Sequence, residues 1–220
     1  MEDMDLSKSL LFDGISQENI KKLCKCLSAR EKKLNKGAFV FQAGEKIGSV
    51  YILLSGSVHI VDSDFWGNQV IVETMNAYDF FGEAYVLADA ERYLVSVQAA
   101  EDICVLVLNP ELIHHACVCE CECHQVLLKN VVRIMARKIV RLTQKLTHVV
   151  RRTTREKLLS YLSQRAQQAG SSAFEIPYSR QQLADYLSVE RSAMSHELGK
   201  MRDAGILKYH KNYFELLYDE

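Results

Sequence analysis

Residues 179–207 carry the sequence SRQQLADYLSVERSAMSHELGKMRDAGIL, which decides the fold of the C-terminal part of the chain. Ser179 and Gln182 have the spacing of a capping box, so a helix is expected to begin after Ser179. This helix has three apolar residues on one face: Leu183, Ala184 and Leu187. Residues 188–190 interrupt the pattern, and a second helix continues to Gly205. The second helix has four residues that are predicted to face inward: Ala193, Met194, Leu198 and Met201. Two short helices joined by a tight turn predict a helix-turn-helix.

The start of the second helix is polar, and this part of a helix-turn-helix enters the major groove of DNA. Arg191 is the residue type that binds guanine through two hydrogen bonds, and serine and histidine side chains contact base edges or phosphates. Arg180 lies at the N-terminus of the first helix, where it is expected to bind a phosphate together with backbone N–H groups.

Two alternating runs follow the second helix and predict a β-hairpin wing beside the groove. Its basic residues are expected to approach the phosphate backbone: Lys208, His210 and Lys211. The predicted DNA-binding residues of the whole unit are Arg180, Glu190, Arg191, Ser192, Ser195, His196 and Lys211.

A heptad repeat precedes this unit, over residues 128–149. Apolar residues recur at intervals of four and three, and basic residues lie between them. This spacing is typical of a coiled-coil seam, which a small domain cannot cover by itself, so we expect the same helix of a second copy as the partner. The alternative is a long helix that lies across its own domain. The predicted dimer interface consists of Leu128, Val132, Met135, Ile139, Leu142, Leu146 and Val149.

Charge is divided unevenly along the chain, although the net charge is only −1. Residues 1–127 hold 10 Lys and Arg against 19 Asp and Glu, whereas residues 128–220 hold 17 against 9. A basic half joined to an acidic half is typical of a polyanion-binding module attached to a domain with another role. The composition, 48% hydrophobic and 25% charged, excludes collagen-like and wholly disordered chains.

The N-terminal half has a different pattern of apolar residues and glycines. Residues 16–29 predict a short amphipathic helix. Residues 31–110 contain short alternating runs separated by glycines, a pattern typical of many short antiparallel strands, and they predict a β-sandwich or barrel. Asn109, Pro110 and Glu111 then have the chemistry of a helix start.

The order of these parts resembles the Crp/Fnr family, named after the cyclic-AMP receptor protein and the fumarate-nitrate regulator. Residues 50–58 look like the family's Tyr-x-Ile-x-x-Gly-x-Val element, residues 80–83 like its Phe-Gly-Glu element, and residues 179–207 like its helix-turn-helix. The resemblance implies an α+β fold, in which an N-terminal antiparallel β-roll of the cyclic-nucleotide-binding type, a double-stranded β-helix, is joined by a long dimerisation helix to a C-terminal winged helix-turn-helix. We expect a sensor domain over residues 1–123, the dimerisation helix over 124–150 and the DNA-binding domain over 151–220.

The resemblance also implies a function. We expect a homodimeric transcription regulator that binds an inverted repeat in double-stranded DNA, responds to a small-molecule effector held by the β-roll, and has RNA polymerase as a further partner. The expected effector pocket consists of Gly82, Glu83, Arg92 and Tyr93.

The effector is not expected to be cyclic AMP. In family members that bind it, an arginine and a serine ahead of a Val-x-Ala motif hold the cyclic phosphate. Counting back from residues 97–99 puts Tyr93 and Leu94 in those positions, and these side chains supply neither the positive charge nor the serine hydroxyl. Arg92 fits only if the loop 84–91 is one residue shorter, because a shift of one residue in a strand points the side chain to the opposite face.

A cysteine-rich segment separates the two halves and ends in His124. No metal site is expected, although the composition makes four cysteines of this segment candidate ligands: Cys117, Cys119, Cys121 and Cys123. On a helix they would lie on faces about 200° apart, so four thiolates could not converge on one ion. Packing as small thiols, metal or cluster binding, and thiol-based redox sensing all stay open, and a redox sensor is the alternative function. Another three cysteines echo only loosely those of iron–sulfur relatives: Cys24, Cys26 and Cys104.

No enzymatic activity is expected, since His114, His115 and Cys117 lie in a helical stretch without a glycine-rich turn for an oxyanion hole. The acidic start of the chain lacks the regions of a signal peptide, and no apolar run reaches the roughly 18 residues of a membrane span. These observations predict a cytoplasmic protein with reduced cysteines, no membrane contact and no cofactor apart from the unidentified effector.

Overall fold

A computed structural model describes residues 5–67, 69–110 and 122–217 of the chain. Contacts divide the chain into two units, Met1–Ala136 and Arg137–Glu220. Each unit is stabilised by its own apolar core.

The N-terminal unit begins with two single 3₁₀ turns, Leu6–Lys8 and Leu10–Phe12, and the helix α1, Gln17–Cys26. Its strands are β1 (Arg30–Leu34), β2 (Phe39–Phe41), β3 (Val50–Ser55), β4 (Ser57–Ser63), β5 (Gln69–Asn76), β6 (Phe80–Phe81), β7 (Ser96–Ala99) and β8 (Ile103–Leu108). The short helix α2 (Glu83–Leu87) lies between β6 and β7 in the chain. The strands form two antiparallel sheets, ordered β1-β8-β3-β6 and β2-β7-β4-β5.

The sequence of strand β3 is almost continuously apolar because both faces of this strand are buried. Successive side chains of a strand point to opposite faces. Val50, Ile52 and Leu54 therefore enter the layer between the sheet and the helices. Tyr51 and Leu53 enter the layer between the two sheets. A strand that is buried on both faces needs apolar residues at every position, and this one has them over residues 50–54.

The long helix α3, Glu122–Val149, begins earlier than the heptad repeat. Its first half packs against the N-terminal unit through Leu127, Val131 and Ile134, all buried. Asn130, buried on the same face, donates hydrogen bonds from Nδ2 to the carbonyl oxygens of Leu11 (3.0 Å) and Asp13 (2.8 Å). One face of α3 is thus fixed to the domain that precedes it.

The C-terminal unit contains the last turns of α3 and a compact winged helix-turn-helix. Its elements are α4 (Thr154–Ala169), β9 (Ala173–Glu175), α5 (Arg180–Leu187), α6 (Arg191–Asp203), β10 (Leu207–His210) and β11 (Tyr213–Leu216). The strands form a sheet in the order β10-β11-β9, and helices α4, α5 and α6 and the three strands contribute to one core. The α+β fold, the β-roll and the winged helix-turn-helix are confirmed.

Two details differ from the sequence predictions. Ala193 is exposed rather than buried. The buried face of α6 consists of Met194, Leu198 and Met201, and Ala193, directly before Met194, is rotated from that face by about 100° around the helix axis. The helix α1 ends at Cys26, three residues earlier than predicted. The predicted helix start at Glu111 and the cysteines of residues 117–121 lie outside the described residues. Among the helices that the structure describes, none is long and apolar enough to cross a membrane.

The β4–β5 hairpin carries apolar side chains into solvent. Phe65 and Trp66 at its tip are 96% and 82% exposed, and their rings meet edge to face at 5.9 Å. The hairpin strand β5 is an edge strand of its sheet and exposes three further apolar residues: Val70, Ile71 and Val72.

We expect Gly56→Ala to destabilise the β-roll strongly. Gly56 joins β3 to β4 with φ +81°, and a Cβ there would lie 2.8 Å from the carbonyl oxygen of Asp102. Backbone strain and this clash together should lower the free energy of unfolding by about 2 kcal/mol or more, as measured by chemical denaturation. Gly37, with φ +83° and nothing within 4 Å of its Cβ, is the matched control and should lose only the strain, about 1 kcal/mol. Equal losses at the two glycines would contradict the steric argument.

Candidate nucleic-acid interface and effector site

The capping box predicted at the start of α5 is present. Ser179 Oγ accepts a hydrogen bond from the Gln182 backbone N–H (3.3 Å), and Gln182 Oε1 accepts one from the Ser179 N–H (2.9 Å). The helix ends at Leu187, and its C-cap Ser188 adopts the left-handed conformation with φ 51°. The N–H of Val189 then donates to the carbonyl oxygen of Ala184 (3.0 Å) and closes the turn.

Glu190 caps α6, a role that was not predicted from the sequence. Its carboxylate accepts hydrogen bonds from the Ser192 hydroxyl and from the Ala193 N–H, the latter at 2.8 Å. These hydrogen bonds lower the pKa of Glu190, and the bond from the Ser192 side chain contributes most. The sequence does contain a signal for this role, because Glu190 has an acceptor side chain and directly precedes the first turn of α6. The carboxylate is exposed and stays ionised at neutral pH, so the first turn of α6 presents both an anion and the guanidinium of Arg191.

The first turns of α6 expose one polar face. Arg191, Ser192, Ser195 and His196 are all exposed, whereas the opposite face is held in the core by Met194, Leu198 and Met201. Ser195 Oγ donates a hydrogen bond to the carbonyl oxygen of Arg191 (2.9 Å), so its lone pairs remain available. Lys211, in the turn of the β10–β11 wing, is also exposed. This arrangement brings together six of the seven predicted DNA-binding residues on α6 and the wing.

Arg180 lies in a different environment from the one expected. Its side chain is half-buried, and the guanidinium carbon lies 4.7 Å from the ring centroid of Tyr209 and 4.9 Å from that of Phe214. Burial lowers the pKa of Arg180 from its ordinary value. The guanidinium therefore ties the start of α5 to the wing through cation–π contacts.

Of the four predicted effector-pocket residues, Gly82 and Tyr93 both lie beside the Ser49 carbonyl oxygen, whereas the Arg92 side chain binds the Gly44 carbonyl oxygen. Gly82 precedes α2 with φ +84°, and a Cβ there would lie 3.1 Å from the Tyr51 ring. Glu83 is buried, as is Tyr93, whose hydroxyl donates to the Ser49 carbonyl oxygen (3.0 Å). Arg92 is instead exposed and donates from Nη1 to the Gly44 carbonyl oxygen (2.6 Å).

Aromatic rings fill the space between the sheets beside Tyr93. The Phe41 and Tyr93 rings stack with centroids 3.7 Å apart, and the Tyr51 and Phe81 rings stack at 5.3 Å. Tyr85 meets Tyr93 edge to face at 5.4 Å. Burial raises the pKa of the Tyr51 and Tyr93 hydroxyls, so both phenols stay neutral. The described side chains that stack around Tyr93 are thus aromatic, and the hydroxyls of Tyr51 and Tyr93 are uncharged phenols.

A cleft lies elsewhere in the N-terminal unit, with a volume of about 420 Å³. It is lined by Ser28, Arg30, Gly48, Ser49, Val107, Leu108 and Asn109. None of the four predicted pocket residues lines it, although Ser49 connects it to Tyr93 through the hydrogen bond described above. Arg30 is the cationic group among its lining residues.

The predicted dimer seam lies on an exposed side of α3. Four of its residues are 59–68% exposed in the single chain: Val132, Ile139, Leu142 and Leu146. Leu128, Met135 and Val149 are half-buried, the first two against the N-terminal core. His148, which the heptad pattern did not single out, is buried beside this seam, with Nδ1 2.8 Å from Ser160 Oγ and Nε2 2.8 Å from Gln164 Oε1. These contacts join the end of α3 to α4.

The cysteines that the structure describes are free thiols, and Cys24, Cys104 and Cys123 belong to or pack against the same apolar core. Cys24 and Cys104 are buried, Cys123 is half-buried and Cys26 is exposed. Burial raises the pKa of Cys24 to about 11 and also raises that of Cys104, which makes both thiols poor nucleophiles. Within residues 5–67, 69–110 and 122–217, no group of three His, Cys, Asp or Glu side chains could hold a metal ion.

Comparison with known proteins gives concordant results for both units. Residues 31–117 match the cyclic nucleotide-binding domain family, and residues 156–218 match the Crp-like helix-turn-helix domain family. The chain is 26% identical to the transcriptional activator protein Anr of Pseudomonas aeruginosa over 183 residues, 81% of this chain and 72% of the relative. It is 20% identical to the anaerobic regulatory protein of Bacillus subtilis over 210 residues, 93% and 82% of the two chains.

A solved structure agrees in fold. The c-di-GMP responsive global regulator CLP of Xanthomonas campestris matches with a TM-score of 0.62 at 15% identity, covering 93% of this chain and all of that one. At this identity the match supports the architecture alone.

Proposed function

Because this chain belongs to the Crp/Fnr family of transcription regulators, we propose that it acts as a homodimer on an inverted-repeat DNA site and is controlled by a small effector other than cyclic AMP. The observation that carries the proposal is the exposed polar face of α6, which stands on a packed helix-turn-helix while the opposite face is buried. A helix of this kind fits the major groove. Such a regulator works where the chromosome is, so the cytoplasm is its expected location.

The homodimer is inferred from the apolar residues that α3 leaves in water. Val132, Ile139, Leu142 and Leu146 follow the heptad spacing and are exposed in the single chain. Pairing two copies along this seam would bury them in knobs-into-holes contacts. A symmetric dimer carries two copies of α6 related by a twofold axis, which explains the preference for an inverted repeat with half-sites about 34 Å apart.

Sequence recognition is assigned to the side chains at the start of α6. Arg191 is exposed and has five N–H donors, which suits bidentate binding to the O6 and N7 acceptors of guanine. The ionised Glu190 beside it would accept from a cytosine amino group and would repel phosphate. Lys208 and Lys211 of the wing are exposed cations for the backbone, and they add affinity without base preference.

An effector other than cyclic AMP is supported by the chemistry of the roll interior. Tyr93 and Leu94 occupy the positions of the phosphate-binding pair, one buried with its hydroxyl on Ser49 and the other 76% exposed. The guanidinium of Arg92 bonds to the Gly44 carbonyl oxygen in an exposed position. A cyclic phosphate placed beside Tyr93 would meet neutral phenols, so its negative charge would be desolvated without compensation.

We expect Ile139→Glu to separate the dimer. Two unpaired carboxylates would face each other across the seam, so the dimer dissociation constant should rise at least about 100-fold in analytical ultracentrifugation. Val140→Glu is the matched control, because Val140 is adjacent and similarly exposed (57% against 59%) but lies off the heptad spacing. Equal dissociation by the two variants would contradict the seam, and a wild-type monomer at micromolar concentration would remove the homodimer from the proposal.

We expect Arg191→Ala to relax base preference. The probe is the duplex that the wild-type protein selects from a random pool, and the variant should lose about 1–3 kcal/mol of discrimination at one base pair in each half-site. Lys208→Ala should instead weaken binding uniformly across sequences and reduce the dependence of log K on log salt by about one. If Arg191→Ala keeps the full base preference, another side chain reads that position, and if the wild type selects no duplex, DNA recognition itself is wrong.

We expect no micromolar binding of cyclic AMP in isothermal titration calorimetry, and no difference between the wild type and Arg92→Ala. The physical reason is that Tyr93 supplies no positive charge and Leu94 supplies no hydroxyl for the cyclic phosphate. Micromolar affinity that disappears on Arg92→Ala would show that Arg92 occupies the phosphate site and would overturn this part of the proposal.

A further inference from the structure

Lys157 in α4 reaches across to the turn of the helix-turn-helix. Its ammonium donates hydrogen bonds to the carbonyl oxygens of Leu187 (3.2 Å) and Ser188 (3.3 Å). Its side chain is half-buried, so these bonds form in a partly desolvated setting. Helix α5 ends at Leu187, and its last carbonyl groups have no partner inside the helix. The lysine therefore supplies both hydrogen bonds and positive charge at the negative end of the α5 dipole.

One of the two carbonyl groups that Lys157 binds belongs to Ser188, whose backbone conformation is unusual. Ser188 has φ 51° and ψ 57°, the left-handed conformation that residues with a Cβ adopt reluctantly. Backbone bonds also contribute, because the N–H groups of Ser188 and Val189 donate to Asp185 (3.2 Å) and Ala184 (3.0 Å). Helix α6 starts three residues after Ser188, so the backbone angles at Ser188 set the direction in which α6 leaves the turn.

We propose that Lys157 is a positioning residue for DNA recognition, which holds Ser188 in the left-handed conformation and thereby fixes the direction of α6. The inference rests on the proposed function, since it concerns the helix that is assigned to the major groove. Lys157 acts through the backbone of the turn and needs no contact with DNA.

The same part of α4 offers a matched comparison. Arg155 lies two residues before Lys157, and its Nη1 is 3.7 Å from Glu197 Oε1 of α6. The arginine is exposed, and an ion pair at this separation and exposure contributes little. Arg155→Met removes one positive charge from the same helix without touching the turn at Ser188, so it separates the loss of charge from the loss of the turn contact.

The decisive experiment compares four proteins on the duplex selected by the wild type from a random pool. Lys157→Met should bind about fivefold more weakly or worse, since it keeps the length of the side chain and removes its donors and charge. Glycine adopts the left-handed conformation without the penalty of a Cβ, so Ser188→Gly in the Lys157→Met background should restore most of the affinity. Arg155→Met should stay within about twofold of the wild type.

The salt dependence of binding separates positioning from a direct phosphate contact. Lys157→Met should lower the affinity at every salt concentration without changing the slope of log K against log salt. A slope that falls by about one, with no recovery on Ser188→Gly, would show that Lys157 contacts phosphate and would overturn the proposal. Unchanged affinity in Lys157→Met would overturn it as well, whereas a wild type that selects no duplex would instead refute the proposed function.

A measurement without DNA tests the turn itself. Amide hydrogen exchange at Ser188 and Val189 should accelerate in Lys157→Met and slow again when Ser188→Gly is added, while exchange at Leu162 and Leu198 in the core stays unchanged. Lys157→Arg should behave as the wild type, because it keeps charge and donors. If Lys157→Met does not fold, Lys157→Leu takes its place because it also lacks donors and charge, and exchange equal to that of the wild type in Lys157→Leu would overturn the proposal.

Discussion

Helix α3 must bury two apolar surfaces, and a single chain covers only one of them. Leu127, Val131 and Ile134 are packed against the β-roll, and Asn130 fixes that face by its hydrogen bonds to Leu11 and Asp13. The heptad residues follow a different line along the same helix, and four of them are exposed in the single chain: Val132, Ile139, Leu142 and Leu146. With 3.6 residues per turn, no single neighbour could cover both lines. The proposed dimer follows from this constraint, and the placement of the two copies of α6 follows from the dimer.

The interior of the β-roll is already occupied by the protein's own aromatic rings. A flat ligand entering beside Tyr93 would have to displace one ring of the Phe41–Tyr93 stack and give up the burial and ring contacts of that pair. The cleft near Arg30 needs no such rearrangement, and its lining combines one cation with the polar groups of Ser28, Ser49 and Asn109.

Local patterns in the sequence were sufficient for the elements and for the order of the domains. The capping box at Ser179, the break at Ser188 and the unbroken apolar run of β3 each report a local constraint, and each is present in the structure. The errors and omissions have a different origin. Periodicity gives the spacing of an apolar stripe but not its rotation to within one residue, which is why Ala193 was placed inside.

Long-range partners account for the remaining omissions. Arg180 contacts the rings of Tyr209 and Phe214, and Lys157 donates a hydrogen bond to the carbonyl oxygen of Ser188. The residues in each of these contacts are about thirty positions apart in the sequence. His148 is similar, because its burial depends on how α4 packs against the end of α3. No spacing rule contains this information, since it arises only when separate elements meet.

The hairpin tip has a practical consequence for spectroscopy. Trp66 is the single tryptophan of the chain, and it sits in solvent at the end of β4 rather than in a core. An indole that is 82% exposed is expected to emit at the long wavelength of a hydrated ring in the native state, so loss of either core should change its emission little. The same emission would respond sharply to any molecule that covers the tip. Tryptophan fluorescence of this protein is therefore a poor probe of unfolding and a sensitive probe of binding at the hairpin tip.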